Sequence, residues 1–172
     1  MPEPPEEDPS QIWTERLRLT PLRPEDAQEM FEVMRDPVLG AFTGEPPPAS
    51  PDALRDRYVA WQAGSSDGRE VWCNWIARRG EDGRAVGHLA ATVSGSTAWL
   101  AWIVDAGLQR QGYATEAARA VGTWLRSALD VTVLAASIPA GHEASEGVAR
   151  NLGLSLTDEI MDGERVWRGP AV

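Results

Sequence analysis

Hydrophobic residues follow two periods along this chain, and these periods predict its secondary structure. Where they alternate with polar residues, as Leu17 and Leu19 do between arginines, we expect a strand with one buried face. Spacings of three and four, as at Ala27, Met30 and Met34, indicate an amphipathic helix. The predicted strands lie around residues 17–19 and at 71–78, 85–94, 98–104, 131–138, 154–160 and 165–168, and the predicted helices at 24–35, 51–64, 113–129 and 143–152.

Turn residues mark the ends of these elements and set their order. Ser50 is suited to cap the start of a helix, and Gly153 to the left-handed position after one. The connections at 80–83 and 94–96 have hairpin character, whereas the uninterrupted apolar run at 131–138 favours a strand covered on both faces. The order β-α-α-β-β-β-α-β-α-β-β therefore predicts an α/β fold with a mixed, mostly antiparallel twisted sheet and helices on both faces.

Two stretches do not fit a helix or a strand. Residues 1–11 combine four prolines with four acids, so we expect a disordered acidic tail, followed by a single domain at 12–172. Residues 36–50 contain glycines and the run Pro46-Pro47-Pro48, which predicts an irregular loop on the substrate side of the domain.

Composition narrows the class of protein. The net charge of −10 argues against a nucleic-acid partner, because phosphate binding needs a clustered basic surface. No apolar run approaches the roughly 20 residues that span a bilayer, and the N-terminus is acidic, so we expect a cytoplasmic protein without a membrane partner. The single cysteine, Cys73, cannot form an internal disulfide and is predicted to lie in the core.

The most informative segment for function lies between a predicted strand and the longest predicted helix, at Gln109 to Thr115. Gly112 and Ala114 leave room for a ligand near the backbone, where N–H groups at a helix start favour an anion. Thr115 adds a hydroxyl group, and the guanidinium of Arg110 can pair with a phosphate. The spacing Gly-x-Gly-x-x-Gly of a dinucleotide fold is absent. The segment thus predicts a phosphate-binding turn, with an ordinary glycine-containing helix start as the alternative.

The pattern Gln-x-x-Gly-x-Ala, continued by Thr-Glu-Ala, resembles the acetyl-CoA pyrophosphate loop of the GCN5-related N-acetyltransferases (GNAT), particularly their RimJ/RimL-like branch. The resemblance covers residues 13–168 and implies the GNAT acyl-CoA N-acyltransferase fold, acetyl-CoA as cosubstrate and no metal. The residues that it assigns to acetyl-CoA are Ile103, Val104, Gln109, Arg110, Gln111, Gly112, Tyr113, Ala114, Thr115, His142 and Ser145.

In this family the strand before the loop, here residues 99–104, splays from its neighbour at a bulge. The resemblance implies that the slot takes the thioester and that the backbone N–H of Ile103 or Val104 binds its carbonyl and the oxyanion. An unbroken core strand is the alternative.

A second match, residues 141–154, resembles the family's Asn-x-x-Ser segment, with His142 in place of the asparagine. Many relatives carry a tyrosine acid where this chain has Ala149, so the resemblance to RimL makes Ser145 the candidate that protonates the leaving thiolate. The alternatives are a solvated His142 at the helix start and a Ser145 that bonds only local backbone.

The group that deprotonates the amine stays open. Family members often carry an acid where this chain has Trp99, so Glu70 and His88 on neighbouring strands are candidate bases, each with a solvated strand residue as the alternative. Five tryptophans are candidates for the walls of an acceptor pocket or for the core: Trp61, Trp72, Trp75, Trp99 and Trp102.

The resemblance implies an N-acetyltransferase that moves an acetyl group from acetyl-CoA to a primary amine by direct attack in a ternary complex. The acceptor is either the N-terminal amine of a protein or a small-molecule amine. The sequence does not distinguish a monomer from a homodimer. Two alternatives remain: a longer donor such as succinyl-CoA, and a CoA-binding sensor without catalysis.

Overall fold

A computed structural model of the chain describes residues 8–37, 39 and 45–171. These residues form one eight-stranded sheet with the order β1-β2-β3-β4-β5-β6-β8-β7. The strands are β1 (Ile12–Trp13), β2 (Leu17–Pro21), β3 (Val71–Arg79), β4 (Ala85–Ser94), β5 (Thr97–Val104), β6 (Val133–Ile138), β7 (Ser155–Met161) and β8 (Glu164–Pro170). The α-helices described are α1 (Ala27–Met34), α2 (Pro51–Ala63), α3 (Tyr113–Leu129) and α4 (Glu143–Asn151).

The sheet is antiparallel except where β6 meets β5. That pair is parallel because α3 carries the chain back across the sheet between the two strands. The main core packs α3 and α4 against one face, and a second core packs α1 and α2 against the other. The predicted mixed sheet with helices on both faces is therefore confirmed. None of the helices among the described residues is long and apolar enough to cross a membrane.

Element ends differ from the sequence expectation in a few places. The first helix begins with a single 3₁₀ turn at Pro24–Asp26, and β6 starts at Val133 because Asp130 leaves α3 in a left-handed conformation with φ 53°. Gly153 does take the left-handed position after α4, with φ 80°. Of the predicted irregular stretch, residues 38 and 40–44 lie outside the described residues, and residues 45–49 form neither helix nor strand. Residues 37 and 39 are helical, so the prediction is wrong there; a proline such as Pro37 is compatible with the first turn of a helix. Cys73 is only half-buried, at the edge of the main core.

The chain preceding β1 packs on the domain. The indole N–H of Trp75 donates to the carbonyl of Ser10 at 2.8 Å, and that of Trp124 to the carbonyl of Pro9 at 3.0 Å. The two rings meet edge to face at 5.4 Å. Residues 1–7 of the predicted tail lie outside the described residues, whereas Pro9 and Ser10 accept hydrogen bonds from α3 and β3.

The sheet opens between β5 and β6. Their pairing extends only from Thr97 opposite Val133 to Trp99 opposite Ala135, after which the strands separate. The expected splay is thus present, but the prediction of a bulge in β5 is wrong: β5 keeps one register with β4 as far as Val104. The bulge lies one strand further away, where Val86 of β4 has no partner in β3. The slot opens because β6 departs, so no extra residue in β5 is needed.

Candidate functional site

A cleft of about 770 Å³ opens where β5 and β6 separate. It extends from the starts of α3 and α4 on one face of the sheet to α2, β3 and β4 on the other. Ten of the eleven residues assigned to acetyl-CoA line it: Ile103, Val104, Gln109, Arg110, Gly112, Tyr113, Ala114, Thr115, His142 and Ser145. The two motifs lie far apart in sequence, and the fold joins them in a single site.

The predicted phosphate loop enters α3 through two left-handed residues. Arg110 has φ 62° and Gly112 has φ 81°, a region that glycine adopts freely and arginine only at a cost of about 1 kcal/mol. Gly112 is also the N-cap of α3, and no side chain caps this helix start. The first-turn N–H groups therefore keep their donor capacity for an anion, which the positive end of the helix dipole attracts.

An arginine from the start of the chain holds this loop in place. The Arg16 guanidinium donates to the carbonyl of Gln111 at 2.9 Å and to the Glu116 carboxylate at 2.7 Å, and it lies 4.6 Å from the centre of the Tyr113 ring. Gln111 is the assigned residue that does not line the cleft, because its carbonyl faces Arg16. Sequence reasoning missed Arg16, since its partner Glu116 is 100 residues away.

Glu116 stands in the first turn of α3, where it would meet a bound phosphate with like charge unless it were paired. Thr14 donates to it at 2.6 Å, and both the backbone and the side chain of Arg16 donate to it. Partial burial alone would raise the pKa of the Glu116 carboxyl, but these hydrogen bonds outweigh it and hold the pKa below its ordinary value. The carboxylate is thus ionised and locally neutralised by Arg16.

We expect Arg16→Gln to weaken CoA binding about tenfold, the loss typical of one charge-assisted hydrogen bond. The substitution releases the Gln111 carbonyl and leaves Glu116 with an uncompensated charge near the phosphates. Titration calorimetry with CoA measures the effect, and Arg16→Gln combined with Glu116→Gln should recover part of the affinity. Arg18→Gln on the same strand is the matched control. Equal CoA affinity for the wild type, the Arg16 variant, the double variant and the Arg18 variant would contradict this role of Arg16.

The pairing register decides which backbone group faces the slot. Asp105 donates its N–H to the Val86 carbonyl at 2.9 Å, which extends the β4–β5 ladder. Because bonding direction alternates along a strand, the N–H of Ile103 also faces β4, and that of Val104 faces away from it. Consistently, the Val104 carbonyl accepts from the Gln109 side chain at 3.2 Å. Of the two expected donors, Val104 is therefore the one whose backbone N–H faces the slot.

Ser145 and His142 meet at the start of α4. The Nδ1 atom of His142 accepts the N–H of Ser145 at 3.3 Å, so this histidine caps the helix in the way an asparagine would. Desolvation lowers the pKa of His142 despite the nearby Glu146, which favours the neutral ring that this bond requires. The Trp102 indole donates to the Ser145 hydroxyl oxygen at 3.3 Å. That oxygen keeps its own proton to donate.

The two candidate bases have different surroundings. Glu70 is exposed, does not line the cleft, and accepts the Trp72 indole N–H at 2.9 Å. His88 lines the cleft at 5% exposure, and its Nε2 atom lies 3.0 Å from the Asn74 amide oxygen. Burial lowers the pKa of His88 to about 4, so it is neutral at pH 7.

The five tryptophans divide between wall and core. Trp61, Trp72 and Trp102 line the cleft, whereas Trp75 is buried in the main core. Trp99, at the position where relatives often carry an acid, lies outside the cleft with the Arg168 guanidinium 4.9 Å from its ring centre.

The sequence matches the profile of the acetyltransferase (GNAT) domain over residues 16–155. The chain belongs to the GNAT family. It is an acetyltransferase, and the family that the sequence resemblance indicated is confirmed. No curated protein matches the sequence closely enough to serve as a relative.

Solved structures of GNAT proteins share the fold over nearly the whole chain. RimJ from Mycobacterium smegmatis, in complex with CoA-disulfide, has a TM-score of 0.77 at 17% identity, covering 95% of this chain and 88% of that one. An acetyl transferase from Salmonella typhimurium that modifies the N-terminal serine of ribosomal protein L7/L12 has 0.76 at 14%, covering 91% and 96%. The acetyltransferase from Agrobacterium tumefaciens has 0.75 at 23%, covering 97% and 98%. Similarity at these identities concerns the fold.

Proposed function

We propose that this GNAT protein transfers an acetyl group from acetyl-CoA to a primary amine, with donor and acceptor bound together in the cleft between β5 and β6. The observation that supports this most is the continuity of that cleft. It joins an uncapped helix start, suited to a diphosphate, to an open strand edge and then to an aromatic wall on the other face of the sheet.

The N–H groups at Gly112 to Thr115 are assigned to the diphosphate, with Arg110 and the Thr115 hydroxyl beside them. The open edge of β5 then offers its backbone groups to the amide-containing arm of CoA, much as a strand offers them to another strand. RimJ, a neighbour with the same fold, binds CoA-disulfide, which supports this cosubstrate.

In the proposed reaction the amine nitrogen attacks the thioester carbonyl carbon, and the Val104 N–H stabilises the oxyanion. The carbon–sulfur bond then breaks, and the Ser145 hydroxyl gives its proton to the leaving sulfur. The Trp102 indole N–H stabilises the charge left on the Ser145 oxygen, which regains a proton from water. His88 takes the proton that the amine loses, through water, and releases it to solvent because its pKa is low.

We expect Ser145→Ala to lower kcat about a hundredfold, the usual contribution of a general acid, while CoA affinity changes little. Free thiol release with saturating amine measures kcat, and calorimetry measures CoA binding. Ser137→Ala, a serine on β6 that also lines the cleft, is the matched control. An unchanged kcat for Ser145→Ala, or an equal loss in both variants, would remove Ser145 from the mechanism.

Two alternatives predict different ligands or no turnover. A succinyl donor needs a cationic group near the thioester, but the arginines that line the cleft among the described residues are Arg110 in the phosphate loop and Arg57, paired with Glu45 at 3.1 Å. A sensor is favoured by Ala149, which is buried in the core where relatives carry a tyrosine acid. Native mass spectrometry of the purified protein identifies a copurified acyl-CoA by its added mass, and thiol release tests turnover.

The acceptor is a primary amine of a protein N-terminus or of a small molecule. The Salmonella typhimurium neighbour modifies an N-terminal serine of a ribosomal protein, which supports the first class. We propose that the reaction takes place in the cytoplasm, in keeping with the single cysteine, which leaves the chain without an internal disulfide.

A further inference from the structure

We propose that the acceptor is a monoamine carried on an apolar, preferably aromatic, body, and that Trp61, Trp72 and His88 bind this body. The inference rests on the proposed acetyl transfer and names the class of amine that the cleft selects. These residues line the part of the cleft on the α1/α2 face of the sheet, whereas the residues assigned to CoA cluster at α3 and α4.

Ring stacking and two hydrogen bonds hold the aromatic wall in place. The His88 ring stacks on Trp61 with centroids 5.3 Å apart and planes at 10°, and Trp61 lies 5.4 Å from Tyr58. Asn74 fixes the Nε2 atom of His88, and Glu70 accepts the indole N–H of Trp72 from outside the cleft. What the indole rings offer to a ligand is therefore mainly their apolar faces, which also attract an arriving ammonium group.

Charge on this face is already paired. Among the described residues that line it, the ionised side chains are Glu45 and Arg57, which form an ion pair at 3.1 Å. His88 is neutral. A polyamine needs a carboxylate for each additional ammonium group. Of the other described glutamates nearby, Glu70 accepts the Trp72 indole N–H, and Glu143 and Glu164 line the cleft from α4 and β8 rather than from the aromatic wall.

The wall is also next to the reacting carbonyl. His88 of β4 is paired with Ile103 of β5, and the following residue, Val104, faces the slot. Neighbouring strands are about 5 Å apart, so a ring held on Trp61 and His88 has its amine within a short methylene chain of the Val104 N–H. Two sources fit this chemistry: a small arylalkylamine, and a peptide whose N-terminal residue is aromatic.

A panel of acceptors tests the inference with the full chain and acetyl-CoA. We expect kcat/KM for 2-phenylethylamine to exceed that for n-butylamine about tenfold, and spermidine to be the poorest substrate. Two tetrapeptides that differ only in an N-terminal Phe or Ser separate the sources, because a higher rate for the Phe peptide than for 2-phenylethylamine identifies a peptide acceptor. A preference for spermidine or for the Ser peptide would overturn the inference.

Variants tie the selectivity to the wall. We expect Trp61→Leu and Trp72→Leu each to raise KM for 2-phenylethylamine about tenfold with KM for acetyl-CoA unchanged, whereas the exposed Trp13→Leu changes neither. Trp72 is 38% exposed, so its replacement is compatible with folding if that of Trp61 is not. If the tryptophan variants lost the same fraction of kcat/KM with every acceptor, the aromatic wall would not be the feature that selects the amine. Absence of turnover with all amines, despite CoA binding, would instead refute the acetyl transfer itself.

Discussion

Replacing Gly112 by glutamate is expected to weaken CoA binding by more than about a hundredfold, because a like charge placed against the phosphates costs several kcal/mol. The new carboxylate would stand at the start of α3, where the diphosphate is proposed to bind. The backbone adds to the effect: Gly112 has φ 81°, and a Cβ there lies 3.4 Å from Nη2 of Arg16. Titration calorimetry with CoA measures the loss.

Gly95→Glu is the matched control for this variant. Gly95 lies in the turn between β4 and β5 with φ 57°, and a Cβ there meets nothing within 4 Å. It therefore experiences similar backbone strain and gains the same charge, but outside the cleft. We expect it to lose stability without losing CoA affinity. If folded Gly112→Glu bound CoA as tightly as Gly95→Glu, the phosphate site would have to lie elsewhere.

Gly87→Ala is expected to destabilise the protein by about 3 kcal/mol, at the upper end of the usual cost of overpacking. A Cβ at this position would overlap the carbonyl oxygen of Ile103 and lie 3.2 Å from Cα of Val104. Both neighbours are backbone atoms, so β4 and β5 must move apart beside the bulge at Val86. Urea unfolding measures the stability, and the same movement should impair the Val104 N–H and lower kcat.

Gly147→Ala makes the same chemical change but is expected to raise the free energy of unfolding instead of lowering it. Gly147 lies within α4, its φ is negative, and a Cβ there meets nothing within 4 Å. Alanine should raise the stability by about 0.5–1 kcal/mol, the difference in helix propensity. If Gly87→Ala left the free energy of unfolding unchanged, β4 and β5 could not approach each other so closely at this position.

Much of the architecture was accessible from the sequence because its signals are local. Alternation, three- and four-residue spacing, and turn residues predict the central strands and the long helices, and one loop carries the resemblance to the family. Residues at Gly112 to Thr115 are consecutive, so their shared position at a helix start follows from the sequence alone. The same holds for Ser145 at the start of α4.

What sequence reasoning missed depends on relations between distant segments. The bulge depends on how β3 and β4 pair, and no residue type in β4 indicates that Val86 lacks a partner in β3. The choice of Val104 over Ile103 likewise follows from pairing with β4. His142 takes the role of an asparagine because an imidazole nitrogen accepts the same hydrogen bond. The indole N–H groups of Trp75 and Trp124 donate to backbone carbonyls of Ser10 and Pro9, within the stretch that the sequence predicts to be a tail.

The contact of Arg16 with Gln111 and Glu116 ties the first long strand of the chain to the loop of α3. A deletion from the N-terminus that includes Arg16 is therefore expected to weaken the proposed CoA binding, although Arg16 does not itself line the cleft.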